Sequence, residues 1–261
     1  MEPKDFITLA ISLAAFVLSL VATIFSLSNK KHEDERSLRS LMNVTIGNIR
    51  SSRIDQAKYR NEHYGKGQNV ELVLNVLSLY NYQINSLTRL AVYVAEKIPT
   101  LVTDIEFATL ADAFAWTGDR QKGKQYWEAA IAASKDRYYE IINRRDFANF
   151  LFLNGNVGEG RDQYKKALDL SPISDDVSKY QTGYTYRMWG WNERAAGNEL
   201  SARDYFDRAA EAFRTISVEG VRASALADLD QVRNTPPTAV PQPMPGEPAA
   251  ELMKTNRATN P

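Results

Sequence analysis

Three stretches of this sequence decide its fold: FATLADAFAWTGDRQKGKQYWEAAIAAS (107–134), RDFANFLFLNGNVGEGRDQYKKALDLSP (145–172) and RMWGWNERAAGNELSARDYFDRAAEAF (187–213). In each stretch, one run of residues with helical period precedes a Gly-Asp or Gly-Asn turn and a second such run follows it. The turn glycines are Gly118, Gly155 and Gly197, spaced by 37 and then 42 residues. Because glycine adopts a left-handed backbone at no steric cost, we expect each of them to close a helical hairpin.

Equivalent positions of the three stretches carry similar residues. Small residues recur in the first helices at Ala111, Ala148 and Gly190, which follow Leu110, Phe147 and Trp189. Aromatic residues recur in the second helices at Trp127, Tyr164 and Phe206, and the other matching positions there are Ala130, Ala167 and Ala209. This pattern resembles the tetratricopeptide repeat family, whose period is roughly 34 residues. Gly123 and Gly160 stand where that family usually has alanine, so the repeats are degenerate. The resemblance implies an all-α fold, an α-solenoid of helix pairs over residues 103–215.

The resemblance also implies a binding groove. In the family, the first helices of the pairs line a concave face, and an arginine followed four residues later by an asparagine can hold a peptide carboxylate. The matching residues here are Arg145, Asn149, Arg187, Trp191 and Arg194. Guanidinium groups bind carboxylates through a two-pronged fork, so we predict an acidic or C-terminal peptide as the partner.

Two observations leave that groove open to another interpretation. The matching residues of the first repeat are Ala108 and Asp112, which do not fit a carboxylate site. The arginines could also form an ordinary solvated face, or pair with Asp146 and Glu193.

The N-terminus contains an uncharged run, FITLAISLAAFVLSLVATIFSL, at residues 6–27. At about 1.5 Å per residue it is long enough to cross a bilayer, so we predict one transmembrane helix. A cleaved signal peptide is the alternative, but MEPKD is not predominantly basic and no Ala-x-Ala site follows the run. More cations follow the run than precede it, which favours a single-pass membrane protein with its C-terminal domain in the cytoplasm. Small residues in the run would suit a homo-oligomer.

The remaining chain divides into further segments. After residues 1–29 we predict a juxtamembrane stalk and hinge over 30–69, with a weak apolar stripe, and a helical domain over 70–233 whose last helix (217–233) caps the repeats. Residues 234–261 contain PPTAVPQPMPGEP and are expected to form a disordered, proline-rich tail.

Composition argues against several chemistries. The chain has no cysteine, two histidines and a formal net charge of zero, which gives no support to thiolate sites, zinc chemistry or nucleic-acid binding. GDRQKGKQ (118–125) is close to a phosphate-binding loop, but it lacks the final hydroxyl and follows a helix. We therefore predict no enzyme activity and no cofactor or metal. The function expected is a membrane-anchored scaffold or adaptor that binds proteins; the alternative is a membrane-bound sensor that binds a peptide or small ligand.

Overall fold

The computed structural model describes residues 15–20, 35–64, 69–171 and 174–235, and every regular element in these ranges is helical. The predicted all-α class is therefore confirmed for this part of the chain. Residues 15–20 are helical; the longer helices are α1 (Glu35–His63), α2 (Val70–Lys97), α3 (Asp104–Thr117), α4 (Arg120–Ala133), α5 (Arg137–Leu153), α6 (Val157–Asp169), α7 (Asp176–Ala195), α8 (Glu199–Arg214) and α9 (Glu219–Asn234). The chain forms two compact units that divide between Gly123 and Lys124.

The transmembrane helix predicted over residues 6–27 is wrong by the structure, since no helix in the described ranges is long and apolar enough to cross a membrane. Of that span only residues 15–20 are described. The other residues of the span lie outside the described ones, as do residues 65–68 of the predicted hinge and 236–261 of the predicted tail. The single-pass membrane localisation and the cytoplasmic side assigned to the C-terminal domain depended on that helix and are withdrawn with it.

The first unit packs α1, α2 and α3 against one another. The stripe predicted for the stalk is the buried face of α1, and it includes Leu38, Met42 and Ile49. Arginines of α1 bind α3: Arg39 makes a forked ion pair with Glu106, with its Nη1 at 2.5 and 2.6 Å from the two carboxylate oxygens. These contacts fix the register between α1 and α3.

The second unit contains two successive helical hairpins, α5–α6 and α7–α8. Their turn glycines have left-handed backbones, with φ of 81° at Gly155 and 82° at Gly197. In each turn the amide after the glycine donates to a carbonyl five residues earlier, at 2.9 Å from Asn156 to Leu151 and 2.8 Å from Asn198 to Glu193. Gly118, at the end of α3, has a φ of 84°. The left-handed conformation predicted for all three glycines is confirmed.

Close helix contacts in the hairpins depend on three other glycines, Gly160, Gly183 and Gly190. A Cβ added to Gly160 in α6 would lie 2.5 Å from the Phe152 ring, and one added to Gly190 in α7 would lie 2.8 Å from the Phe206 ring. Each aromatic ring therefore occupies the space of a missing side chain. The glycine at 160, which departs from the family pattern, is explained by this contact.

The final helix, α9, packs on α8 and α7 and covers the end of the second unit. Its buried face carries Val221, Ala225 and Leu229. Asp176, at the start of α7, accepts hydrogen bonds from the backbone amides of Ser217 and Val218 just before α9, at 2.8 and 3.1 Å. Burial alone would raise the pKa of the Asp176 carboxyl, but these bonds, with those from the Ser217 hydroxyl and Lys179, lower it to about 2.

Candidate functional site: the buried polar face of α7

Helix α7 is buried on most of its circumference and carries six polar or charged residues that are at most 5% exposed. They are Gln181, Thr182, Thr185, Arg187, Asn192 and Glu193. A buried polar group is costly unless it forms hydrogen bonds, so each of these side chains calls for a partner. Thr182 lies 2.8 Å from the Ser171 hydroxyl, Thr185 donates to the Gln181 carbonyl, and Asn192 donates to the Tyr164 hydroxyl at 2.6 Å.

Glu193 has the most complete set of partners. Arg161 of α6 binds it through a two-pronged fork, with both N···O distances 2.7 Å. Trp189 donates to it at 2.9 Å and Asn198 at 2.8 Å. Burial opposes ionisation, but these hydrogen bonds keep the pKa of Glu193 below its usual value. This network joins α6, α7 and the following turn, and its role is structural.

Two arginines lie against the ring of one tyrosine. The guanidinium carbon of Arg145, on α5, is 4.2 Å from the centre of the Tyr184 ring, and that of Arg187 is 4.3 Å from it. Both arginines are 2% exposed. Arg145 donates to Gln181 at 2.9 Å and to the Asp146 carboxylate at 3.4 Å. Cation–π contact stabilises both guanidinium groups, but it does not replace the hydrogen bonds that their N–H groups need.

Arg187 differs from its buried neighbours in this respect. Its Nη2 is buried and makes no hydrogen bond with any residue that the structure describes. An arginine keeps its charge in proteins, and an uncompensated buried charge is costly. In the described part of the chain, Arg187 is thus a buried cation with a donor left unused.

The five predicted groove residues do not share one environment. Arg145 and Arg187 meet across Tyr184, while Asn149 is half-buried on α5. Trp191 is 8% exposed and belongs to the apolar core around α8.

The fifth, Arg194, has partners that account for its position. It donates to the carbonyls of Val232 and Arg233 at 3.3 and 2.8 Å, and so caps the end of α9. It also pairs with Glu199 at 3.1 Å. Peptide binding by these five residues stays a prediction.

Sequence reasoning missed Tyr184 and Gln181, the two residues that organise the site. Both lie on α7 at three-residue intervals before Arg187, so helical spacing alone places the three on one side of the helix. The alternative interpretation paired the groove arginines with Asp146 and Glu193: Arg145 does pair with Asp146, whereas Glu193 pairs with Arg161.

Among the residues whose positions are described, no three histidine, aspartate or glutamate side chains are grouped so as to hold a metal ion. No protein-family model, curated protein or solved structure matches this chain.

Proposed function

We propose that this protein is an interaction adaptor whose second unit binds an acidic segment of a partner protein. The proposal keeps the tetratricopeptide-like interpretation of the hairpins as its structural premise. It assigns the binding surface to α5 and α7, where the groove residues lie. Helical hairpins of this kind present side chains from successive first helices side by side, which suits an extended peptide.

One observation carries the proposal: equivalent first helices, α5 and α7, each place an arginine against the same Tyr184 ring. The carboxylate paired with Arg145 is Asp146, whose side chain is 42% exposed. Two buried cations beside a single, half-exposed anion leave an excess of positive charge. A negatively charged partner would offset that excess, and a neutral one would not.

Selection of short random peptides with free C-termini against the full-length protein tests this function. We expect enrichment of sequences with aspartate, glutamate or an exposed terminal carboxylate. Binding of the selected peptides, measured by fluorescence anisotropy, should weaken when their acidic residues are replaced by the corresponding amides. It should also weaken in the variant Asn149→Ala, because Asn149 supplies a donor beside Arg145 in the predicted groove.

Arg203→Gln is the matched control for charge. This residue is on α8, its side chain is 70% exposed, and it pairs with Glu199, so losing it changes the net charge while all five groove residues, including Arg194 on the same Glu199, are kept. It should leave binding unchanged. Selection without acidic enrichment, or equal binding of acidic and amide peptides, would contradict the proposal.

A further inference from the structure

We infer that Arg187 is the receiving group for one carboxylate, and that its stack on Tyr184 is the position it holds when no ligand is bound. This inference rests on the proposed function only for the source of the carboxylate. The source is either an acidic peptide or a small free organic acid, and the chemistry at Arg187 is the same in both.

The polar groups around Arg187 have hydrogen-bond partners, but Arg187 Nη2 has none among the described residues. Gln181 binds Arg145 and accepts the Thr185 hydroxyl through its backbone carbonyl, so the polar groups next to Arg187 along the helix already have partners. Buried polar networks are usually satisfied throughout, so the unsatisfied Nη2 calls for a partner that the described residues do not supply.

The two arginines that contact Tyr184 differ in their counterions. Arg145 has Asp146 as its counterion, at 3.4 Å, and no ion pair is found for Arg187 in the described ranges. The site therefore needs one negative charge. A carboxylate supplies one, with two oxygens spaced for the arginine fork, whereas a phosphate dianion would bring a second charge that no cation here balances.

A ligand must be able to reach the buried Nη2 of Arg187. Because Nη2 is buried, a ligand reaches it only when the Arg187 side chain leaves the Tyr184 ring. Arg145 also contacts that ring, at 4.2 Å from its centre, so Tyr184 keeps one cation–π partner while Arg187 moves. A carboxylate compensates for the lost stack, since it forms charge-assisted hydrogen bonds with the guanidinium and neutralises its charge, neither of which the buried cation–π contact does.

The experiment uses the full-length protein and three probes at equal ionic strength: sodium acetate, inorganic phosphate and an acidic peptide obtained by selection. Calorimetry and thermal shift measure binding to the wild type, to Arg187→Gln and to the control Arg203→Gln. We expect acetate and the peptide to bind the wild type and the control, with binding to Arg187→Gln at least about tenfold weaker. Phosphate should bind more weakly than acetate.

The outcomes separate this inference from the proposed function. Acetate binding that depends on Arg187, with no peptide binding, supports the carboxylate site and contradicts the adaptor. Peptide binding that is equal in wild type and Arg187→Gln supports the adaptor and overturns the site. Binding of neither probe, or phosphate binding tighter than acetate, overturns the carboxylate assignment.

A second variant guards against misfolding of the first. Tyr184→Leu removes the stack and keeps the guanidinium, so it should bind acetate at least as tightly as the wild type does. Weaker binding in a folded Tyr184→Leu protein, judged by its circular dichroism, would overturn the role given to the stack.

Discussion

Replacing Arg187 by methionine should make the ligand-free protein more stable. The guanidinium is 2% exposed and its Nη2 has no hydrogen-bond partner among the described residues. After relaxation, an unpaired buried ion still costs several kcal/mol. The cation–π contact with Tyr184, at 4.3 Å from the ring centre, offsets about 2 kcal/mol of this destabilisation. Methionine fills a similar volume without charge, so we expect a gain of about 2 kcal/mol in the free energy of unfolding.

Urea unfolding followed by circular dichroism measures this gain, in a buffer free of carboxylates and phosphate. For a chain of this length, 2 kcal/mol corresponds to a rise in Tm of roughly 4–8 °C. Arg203→Met is the control, because that arginine is exposed, and it should change stability by less than about 0.5 kcal/mol. A loss of 1 kcal/mol or more in Arg187→Met would refute the reasoning, since it would show that the guanidinium supports the fold.

Three further predictions concern the contacts that hold the second unit together. Glu193→Gln should lower the free energy of unfolding by about 1–2 kcal/mol, because it removes charge-assisted hydrogen bonds, while Arg161, 40% exposed, stays partly solvated. A double-mutant cycle with Arg161→Gln should give a coupling energy above about 0.5 kcal/mol; additive effects would contradict the pair's role. Gly160→Ala should lower the free energy of unfolding by about 1–3 kcal/mol, because the added methyl group clashes with the Phe152 ring. Gly158→Ala, in the same helix, meets open space and should be neutral or stabilising. Equal changes in Tm for the two variants would argue against the close contact. The Asp176 carboxyl has a pKa of about 2 in the fold, against a reference value of 3.8. Its ionised form should therefore add about 2 kcal/mol to the free energy of unfolding above pH 4, and this contribution should disappear as the pH falls towards 2. A stability difference between wild type and Asp176→Asn that persists at pH 2 would be inconsistent with this.

The features that sequence predicts well here are local. The three left-handed glycines follow from turn chemistry, and the end of α2 at Lys97 follows from Pro99, which cannot continue a helix. The buried face of α9 follows from helical periodicity, because only one side of that helix is covered.

The features that sequence could not supply are those set by packing. Helix α7 is covered on most sides, so its polar residues do not form the exposed stripe that an amphipathic pattern would indicate. For this reason Arg187 was expected on an open groove and is found buried. The pairing of Arg161 with Glu193 joins residues 32 positions apart, and only the packing of α6 on α7 selects it. The membrane-anchor prediction rested on composition alone, and the described helices do not support it.

The central claim is that Arg187 receives a carboxylate from a binding partner. Its most direct test is the affinity of one selected acidic peptide for Arg187→Gln relative to Arg203→Gln, measured by fluorescence anisotropy at fixed ionic strength. We predict that the Arg187 variant binds at least about tenfold more weakly, a difference of about 1.4 kcal/mol. Equal affinities of the two variants would contradict the claim.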